Sequence, residues 1–291
     1  MTAPSIRPHS TGPAPGTSGS VSTTVPGFPP TIGGLFNFRD AAACSPSTTF
    51  PALSRGLLFR SGALNALDCD AWKVLDRRGV NTVIDLREPA EAAAAPDNAP
   101  PGLRVISSPV YQGRIPLDLP LTELYHGLLQ DCGQALADAV RHVIRHLHGG
   151  VLVHCAAGKD RTGLVIALLL SAVGADRETV IRDYAHSENM LPESFRDASR
   201  ARLQTLITDP AALDTALHLH LASPAGAMQT VLWTLEGERL GGYTGAGAYL
   251  LRHGLSREDL DLAAELLLDR AVTPEETTAA RATAPTAVPA S

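Results

Sequence analysis

Residues 154–163 read His-Cys-Ala-Ala-Gly-Lys-Asp-Arg-Thr-Gly and lie between the apolar run Val151-Leu152-Val153 and a longer apolar run over residues 163–174. The first run is typical of a buried strand, and the second is long enough for a buried helix. The decapeptide therefore predicts a loop that joins the end of a strand to the N-terminus of a helix. Such a loop binds anions, because free N–H groups and the positive end of the helix dipole face it.

Helix and strand patterns alternate before this loop. Helical patterns cover residues 67–78 and 136–147, and strand patterns cover residues 82–86 and 151–153. This alternation predicts an α/β fold with a central, mainly parallel sheet flanked by helices. Ligands of such sheets bind at the carboxyl ends of the strands, where we expect Asp85, Arg87 and Cys155 to meet.

The rest of the chain divides by composition. Residues 1–30 are rich in proline, Ser, Thr and Gly, and residues 273–291 are rich in proline, Ala and Thr. This composition predicts a disordered tail at each of these two segments. Residues 31–272 are expected to form one catalytic domain. Its C-terminal third, residues 176–271, has helical patterns and is predicted to form an additional helical lid or flank.

Charge, apolar runs and cysteine content restrict the partners and the compartment that the sequence predicts. A formal net charge of −6 argues against general nucleic-acid binding. No run of 18 apolar residues and no signal peptide is recognisable, so we expect a cytoplasmic protein without stable membrane insertion, although unconventional secretion would leave no such signal. The four cysteines, Cys44, Cys69, Cys132 and Cys155, are expected to be free thiols. The oligomeric state stays open.

The loop carries a nucleophile and a clamp for a phosphoryl group. The field of the helix N-terminus favours the thiolate form of Cys155, which is the nucleophilic form. Arg161 has a planar guanidinium that binds two phosphoryl oxygens at once. A nucleotide-binding Walker A loop is excluded, because it requires glycine where this chain has Val153. The expected phosphate-binding residues are Ala156, Ala157, Gly158, Lys159, Asp160, Arg161 and Thr162.

The decapeptide resembles the HCxxGKDRTG signature of the bacterial tyrosine-phosphatase-like family that has phosphoinositide activity. Three other segments fit that family: Asn37-Phe38-Arg39-Asp40, Leu58-Phe59-Arg60-Ser61-Gly62 and Val83-Ile84-Asp85-Leu86-Arg87. One departure is visible, since Ala41-Ala42-Ala43 follows the first segment where the family has Leu-Gly-Gly. The resemblance implies a cysteine-phosphatase-like fold and catalysis without a metal or other cofactor.

A general acid must protonate the leaving group. The Trp-Pro-Asp loop of many tyrosine phosphatases is absent, because Lys73 and Thr234 follow the two tryptophans. The resemblance favours Asp160 within the loop, with Asp85 as the second candidate and an aspartate such as Asp118 or Asp131 as a further one. A bound dianion and the nearby thiolate favour the protonated form of Asp160.

Other polar residues of the site have two interpretations each. Lys159 is either a cation at the pocket rim that binds an additional phosphate or a solvated lysine. Thr162 donates a hydrogen bond to the sulfur of Cys155 or caps the helix. We expect His154 to orient the loop, and Arg39, Asp40, Arg60 and Arg87 to form a buried ion-pair scaffold beneath it.

No metal site is predicted. His142 and His146 share a helix face near His148, but no carboxylate or cysteine completes a ligand set. His218 and His220 are expected at the surface.

The sequence therefore predicts a phosphomonoester hydrolase that forms a cysteinyl-phosphate intermediate. Phosphotyrosine is the expected substrate, with phosphoserine, phosphothreonine or phosphoinositides as further candidates. The alternatives are a catalytically idle phosphate-binding or scaffold protein and a sulfurtransferase.

Overall fold

The computed structural model describes residues 31–45, 52–113 and 119–269. The two predicted tails, residues 1–30 and 273–291, lie outside the described residues, and so does Asp118. The strands are β1 (Thr31–Ile32), β2 (Leu35–Phe36), β3 (Arg39–Asp40), β4 (Ala52–Leu53), β5 (Leu58–Ser61), β6 (Val80–Asp85), β7 (Arg104–Ser107), β8 (Gly150–His154), β9 (Arg239–Leu240), β10 (Tyr243–Thr244) and β11 (Leu268–Asp269).

Helices make up most of the described chain. They are α1 (Cys69–Arg77), α2 (Pro89–Ala94), α3 (Leu121–Asp131), α4 (Gly133–His146), α5 (Asp160–Ala172), α6 (Arg177–His186), α7 (Glu193–Leu206), α8 (Pro210–Leu221), α9 (Ala225–Glu236), α10 (Gly245–Arg252) and α11 (Arg257–Leu267). A short 3₁₀ helix, Ser187–Met190, follows α6. None of the described helices combines the length and apolarity that a bilayer span requires.

The central sheet has the strand order β3-β5-β8-β6-β7. Only the β3–β5 pair is antiparallel within it, so the predicted mainly parallel α/β sheet is confirmed. His154 at the end of β8 is in register with Ser61 of β5 on one side and with Asp85 of β6 on the other. Three strands therefore end at the same edge, and the loop that begins at Cys155 leaves from the centre of that edge.

Alternation along β8 separates two cores. Val151 and Val153 face the larger core, whereas Leu152 faces a smaller core under α1. Helix α5 is buried along residues 161–170, which explains why its sequence is a continuous apolar run rather than an amphipathic pattern. Each fully buried Leu or Val contributes about 1.5–3 kcal/mol, so the sheet and α5 form a rigid base for the loop.

The C-terminal third is helical, as predicted. Helices α7 and α8, here called the covering pair, have few buried residues and pack onto the loop through a small cluster. That cluster includes Ala157 of the loop, Leu191 and Leu221, with Phe195 packed against them. The covering pair therefore lies over the carboxyl edge of the sheet but shares little of the main core.

Candidate active site

The loop between β8 and α5 depends on Gly158. This residue has a positive φ of 67°, which side chains other than glycine rarely adopt. A Cβ atom at this position would lie 2.1 Å from the carbonyl oxygen of Ser61. Glycine is therefore required both by the backbone conformation and by the close approach of β5.

Side chains from outside the loop donate hydrogen bonds to its carbonyl groups, which therefore point away from the interior of the loop. The Asn37 side-chain amide donates to the carbonyl oxygens of Ala157 at 2.8 Å and Gly158 at 3.0 Å. Nη2 of Arg60 also donates to the Gly158 carbonyl, at 2.7 Å. Because N–H and C=O groups of a peptide point in opposite directions, the amides that follow these carbonyls face the interior of the loop, where they form an anion-binding concavity.

A buried carboxylate, Asp183 of α6, supports the two arginines beneath the loop. Nε of Arg39 lies 2.7 Å from Oδ1 of Asp183, and Nη1 of Arg60 pairs with Oδ2. Burial opposes ionisation of Asp183, but the two guanidinium groups outweigh it and keep its pKa below the usual value. The negative charge of Asp183 thus holds the side chain of Arg60, which donates to the loop, in its position.

The predicted ion-pair scaffold is correct for Arg39 and Arg60 but wrong for Asp40 and Arg87. The Asp40 carboxylate instead accepts the backbone N–H groups of Ala42 at 2.9 Å and Gly56 at 2.7 Å. It closes the turn in which alanines replace the family's glycines. Arg87 belongs to a separate cluster on the other side of β8.

Cys155 lies at the base of a cavity of about 280 Å³ and is only 2% exposed. The loop and the covering pair form opposite walls of this cavity. Its lining residues are Glu91, Tyr111, Leu124, Cys155, Ala156, Ala157, Asp160, Arg161, Phe195, Ala198, Ser199, Arg202, Leu219 and His220. The prediction that His220 is a surface residue is therefore wrong, because the covering pair places this histidine at the cavity.

The Arg161 guanidinium is held in place from two directions. Glu91 of α2 binds both of its terminal nitrogens, with Nη1–Oε2 at 2.5 Å and Nη2–Oε1 at 3.0 Å. The Tyr111 ring stacks on it, 4.4 Å from ring centroid to Cζ. Burial alone would lower the pKa of Arg161, but Cys155 and Glu91 raise it above its ordinary value, so the side chain stays charged.

Asp160 is the first residue of α5 and lines the same cavity as Cys155. Its Oδ1 accepts a hydrogen bond from Tyr125 OH at 2.7 Å and forms an ion pair with Nζ of Lys159 at 2.9 Å. Tyr125 OH also lies 2.7 Å from the hydroxyl of Tyr184. A carboxylate therefore reaches the cavity next to the thiol, supported by three polar groups behind it.

Lys159 occupies neither of its two predicted positions. Its side chain is fully buried, and Nζ donates to the carbonyl oxygens of Leu219 at 2.7 Å and Ala222 at 2.6 Å. Those carbonyls belong to the C-terminal end of α8, which attracts a cation. Lys159 is thus an internal contact between the loop and the covering pair rather than a cation at the pocket rim.

Asp85, the second candidate acid, lies outside the cavity. Both of its oxygens accept from Arg87, at 2.9 Å from Nε and 2.8 Å from Nη2. The same Arg87 lies 2.8 Å from Asp97, whose Oδ2 is 3.2 Å from Nε2 of His154. Among the described residues, Asp85, Asp97 and His154 form the group with metal-ligand spacing, but the Arg87 guanidinium already supplies its positive charge.

His154 contacts both this carboxylate cluster and the start of the loop. Its Nδ1 lies 3.2 Å from the carbonyl oxygen of Cys155, and its ring is fully buried. The predicted orienting function agrees with this position. For the histidines of α4, Nδ1 of His146 contacts the His142 carbonyl and Nε2 contacts Arg104, so both nitrogens of His146 are used.

Two further predictions concern Thr162 and Asp131. The Thr162 hydroxyl is buried and makes no hydrogen bond to another described residue, so neither the bond to the Cys155 sulfur nor the helix cap is present. Asp131 lies at the end of α3, is exposed, and lines a different cavity from that of Cys155. Sequence reasoning assigned no function to Glu91, Asp97, Tyr125, Tyr184 or Asp183.

Comparison with known proteins identifies the chain's relatives. A family described as "Tyrosine phosphatase family" matches residues 30–269. The chain belongs to this family. The phosphatase is 33% identical over 210 residues to the triple specificity protein phosphatase PtpB of Mycobacterium tuberculosis, covering 60% of this chain and 72% of that protein. It is 28% identical over 192 residues to a Cupriavidus necator protein that carries the name of a tyrosine-protein phosphatase, covering 61% and 69%.

Among solved structures, the phosphatase matches Pseudomonas aeruginosa TpbA with 19% identity and a TM-score of 0.33, over 61% of this chain and 88% of that one. The family match confirms the resemblance inferred from the decapeptide. The chain is a cysteine-dependent protein-tyrosine phosphatase, and the sulfurtransferase and idle-scaffold alternatives are not supported.

Proposed function

We propose that this phosphatase hydrolyses phosphotyrosine with Cys155 as nucleophile, Arg161 as clamp and Asp160 as general acid. The observation that carries the proposal is that these three side chains line one and the same cavity. The amides of Ala156, Ala157, Gly158, Lys159, Asp160, Arg161 and Thr162 are proposed to bind the phosphate. No metal or other cofactor is required in this scheme.

In the first step the Cys155 thiolate attacks phosphorus. The S–P bond forms while the P–O bond to the leaving group breaks, and the leaving oxygen takes the proton of Asp160. In the second step water attacks phosphorus and gives a proton to Asp160. The S–P bond then breaks, and phosphate and the thiolate are released.

Arg161 stabilises the charge that develops on the equatorial oxygens. Its support by Glu91 and Tyr111 favours this role, because a guanidinium held in advance loses little conformational entropy when the dianion binds. Asp160 is preferred over Asp85 as the acid, because the oxygens of Asp85 are already bound by Arg87.

Phosphoinositides, phosphoserine and phosphothreonine are proposed as further substrates. Arg202 on the covering pair adds a cation to the cavity wall, which favours substrates with a second anionic group. The name of the M. tuberculosis relative, a triple specificity phosphatase, agrees with this wider range.

We also propose that residues 31–272 form one phosphatase domain, with a helical lid or flank within residues 176–271. The proposed chemistry requires a reduced Cys155, and the described cysteines are free thiols, which favours the reducing cytoplasm as the place of action.

The test is turnover of p-nitrophenyl phosphate, followed by a panel of phosphotyrosine, phosphoserine and phosphothreonine peptides and phosphoinositides. We expect wild-type turnover, no turnover by Cys155→Ser, and the highest kcat/KM on a phosphotyrosine peptide. An inactive wild type, or Cys155→Ser with unchanged activity, would contradict the proposal.

A further inference from the structure

Two tyrosine hydroxyls form a short hydrogen-bonded chain that ends at Asp160. Tyr184 OH lies 2.7 Å from Tyr125 OH, which lies 2.7 Å from Oδ1 of Asp160. Both tyrosines are about 1% exposed. We propose that Tyr125 is a positioning residue that holds Asp160 by Oδ1 and so directs the catalytic proton to Oδ2. This inference rests on the proposed function, in which Asp160 is the general acid.

The direction of the hydrogen bonds follows from the single proton of each hydroxyl. A carboxylate oxygen only accepts, so Tyr125 donates to Asp160, and Tyr184 must then donate to Tyr125. Burial and the neighbouring Asp160 carboxylate raise the pKa of Tyr125 well above its ordinary value. Tyr125 therefore keeps its proton and remains a donor over the pH range in which the enzyme would work.

The two oxygens of Asp160 have different surroundings. Oδ1 accepts a hydrogen bond from Tyr125 and forms an ion pair with Nζ of Lys159. Oδ2 accepts no hydrogen bond from the part of the chain that the structure describes. A protonated carboxyl has one carbonyl oxygen, which accepts, and one hydroxyl oxygen, which donates. Because Oδ1 already accepts from Tyr125 and lies against the Lys159 ammonium group, the proton belongs on Oδ2, and the hydrogen bond from Tyr125 persists in both protonation states.

Packing alone does not require these hydroxyls. Tyr125 and Tyr184 lie in a core that is rich in leucine, where phenylalanine would fill nearly the same volume. A buried hydroxyl without a partner destabilises the fold, so each hydroxyl depends on the other and on Asp160. Their shared end point is the carboxylate that faces the cavity.

The experiment compares Tyr125→Phe with wild type on two substrates, p-nitrophenyl phosphate and phenyl phosphate. Phenolate is the poorer leaving group and depends more on the general acid. We expect kcat/KM, which reports the step in which the leaving group departs, to fall about tenfold or more on phenyl phosphate and much less on p-nitrophenyl phosphate. Asp160→Asn should show the same bias with a larger loss.

Tyr249→Phe is the matched control. Tyr249 is also buried and its hydroxyl donates to the Leu129 carbonyl at 2.8 Å, away from the cavity. The Tyr249→Phe variant should be less stable than wild type but should slow p-nitrophenyl phosphate and phenyl phosphate equally, if at all. The double variant Tyr125→Phe/Asp160→Asn should be no slower than Asp160→Asn, because Tyr125 acts through Asp160. If Tyr125→Phe does not fold, Tyr184→Phe carries the test, with a smaller bias of the same kind.

An equal fall of kcat/KM on both substrates in the folded Tyr125→Phe variant, or additive losses of kcat/KM in the double variant, would overturn the inference and leave the phosphatase function intact. Absence of a leaving-group bias in Asp160→Asn would overturn both the inference and the choice of Asp160 as the acid. An inactive wild type would instead contradict the proposed function.

Discussion

Replacement of Gly158 by alanine tests how the loop is built. An alanine with positive φ costs about 1–2 kcal/mol. Its Cβ would lie 2.1 Å from the Ser61 carbonyl oxygen, whereas ordinary contacts begin at 3.4 Å, so the loop and β5 must separate by about 1 Å. That movement weakens the buried hydrogen bonds from Asn37 and Arg60 to the Gly158 carbonyl, each of which contributes about 1 kcal/mol. With both hydrogen bonds lost, the total is about 3–4 kcal/mol.

Gly174→Ala is the matched control for this prediction. Gly174 also has a positive φ, 85°, but nothing lies within 4 Å of its Cβ position. It should lose only the conformational part, about 1–2 kcal/mol in urea unfolding, and keep its activity. Gly158→Ala should lose about 100-fold in kcat/KM for p-nitrophenyl phosphate, because a 1 Å displacement misaligns the amides. Equal stability and equal activity of the two variants would refute the explanation.

Three other variants test separate parts of the site. Arg161→Lys should lower kcat/KM about 100-fold to 1,000-fold in steady-state assays, because lysine cannot bind two phosphoryl oxygens in parallel. Asp183→Asn should cost about 3–5 kcal/mol in urea unfolding at neutral pH, because Arg39 and Arg60 remain buried without their carboxylate. Lys159→Met should increase hydrogen exchange in the covering pair, since two hydrogen bonds to the end of α8 are lost.

The pH dependence of the Asp183 effect has a defined sign. The pKa of Asp183 is lowered in the folded state, so its contribution is complete above the unfolded value of about 3.9 and is lost as pH falls through the folded value. The difference between wild type and Asp183→Asn should therefore shrink below about pH 4. A constant difference down to pH 2 would contradict the ion pair.

The prediction for Lys159 has its own control and its own contradicting result. Lys73→Met, on the exposed surface of α1, is the control variant. Unchanged hydrogen exchange in α8 of Lys159→Met would contradict the contact between Lys159 and the end of α8.

Local patterns were sufficient to predict the loop and the sheet around it. The apolar run before Cys155 and the helical spacing of residues 136–147 specify β8, α4 and α5 without information from elsewhere in the chain. Parallel strands end at a common edge, which is why Asp85, Arg87 and Cys155 were expected to meet. Asp85 is in register with His154 at that edge, but Asp85 and Arg87 do not line the cavity of Cys155. Both predictions depend only on residues close in sequence and on the general topology of parallel sheets.

The partners of the site could not be predicted in the same way. Asp183 lies 144 residues from Arg39, and Tyr125 lies 35 residues before Asp160, so no local spacing connects them. The environment of Lys159 was misjudged for a related reason. A lysine in a polar loop is expected to be solvated or to bind an additional phosphate at the pocket rim, but the terminal carbonyls of α8 approach from 60 residues further along the chain and bind it.

In the proposed mechanism, Cys155 carries the phosphoryl group between the two steps. Rapid acid quench during turnover of p-nitrophenyl phosphate, followed by peptide mass spectrometry, measures this directly. We expect one added phosphoryl group on the peptide that contains Cys155, and none in Cys155→Ser. Turnover with no phosphorylated Cys155, or the phosphoryl group on another residue, would contradict it.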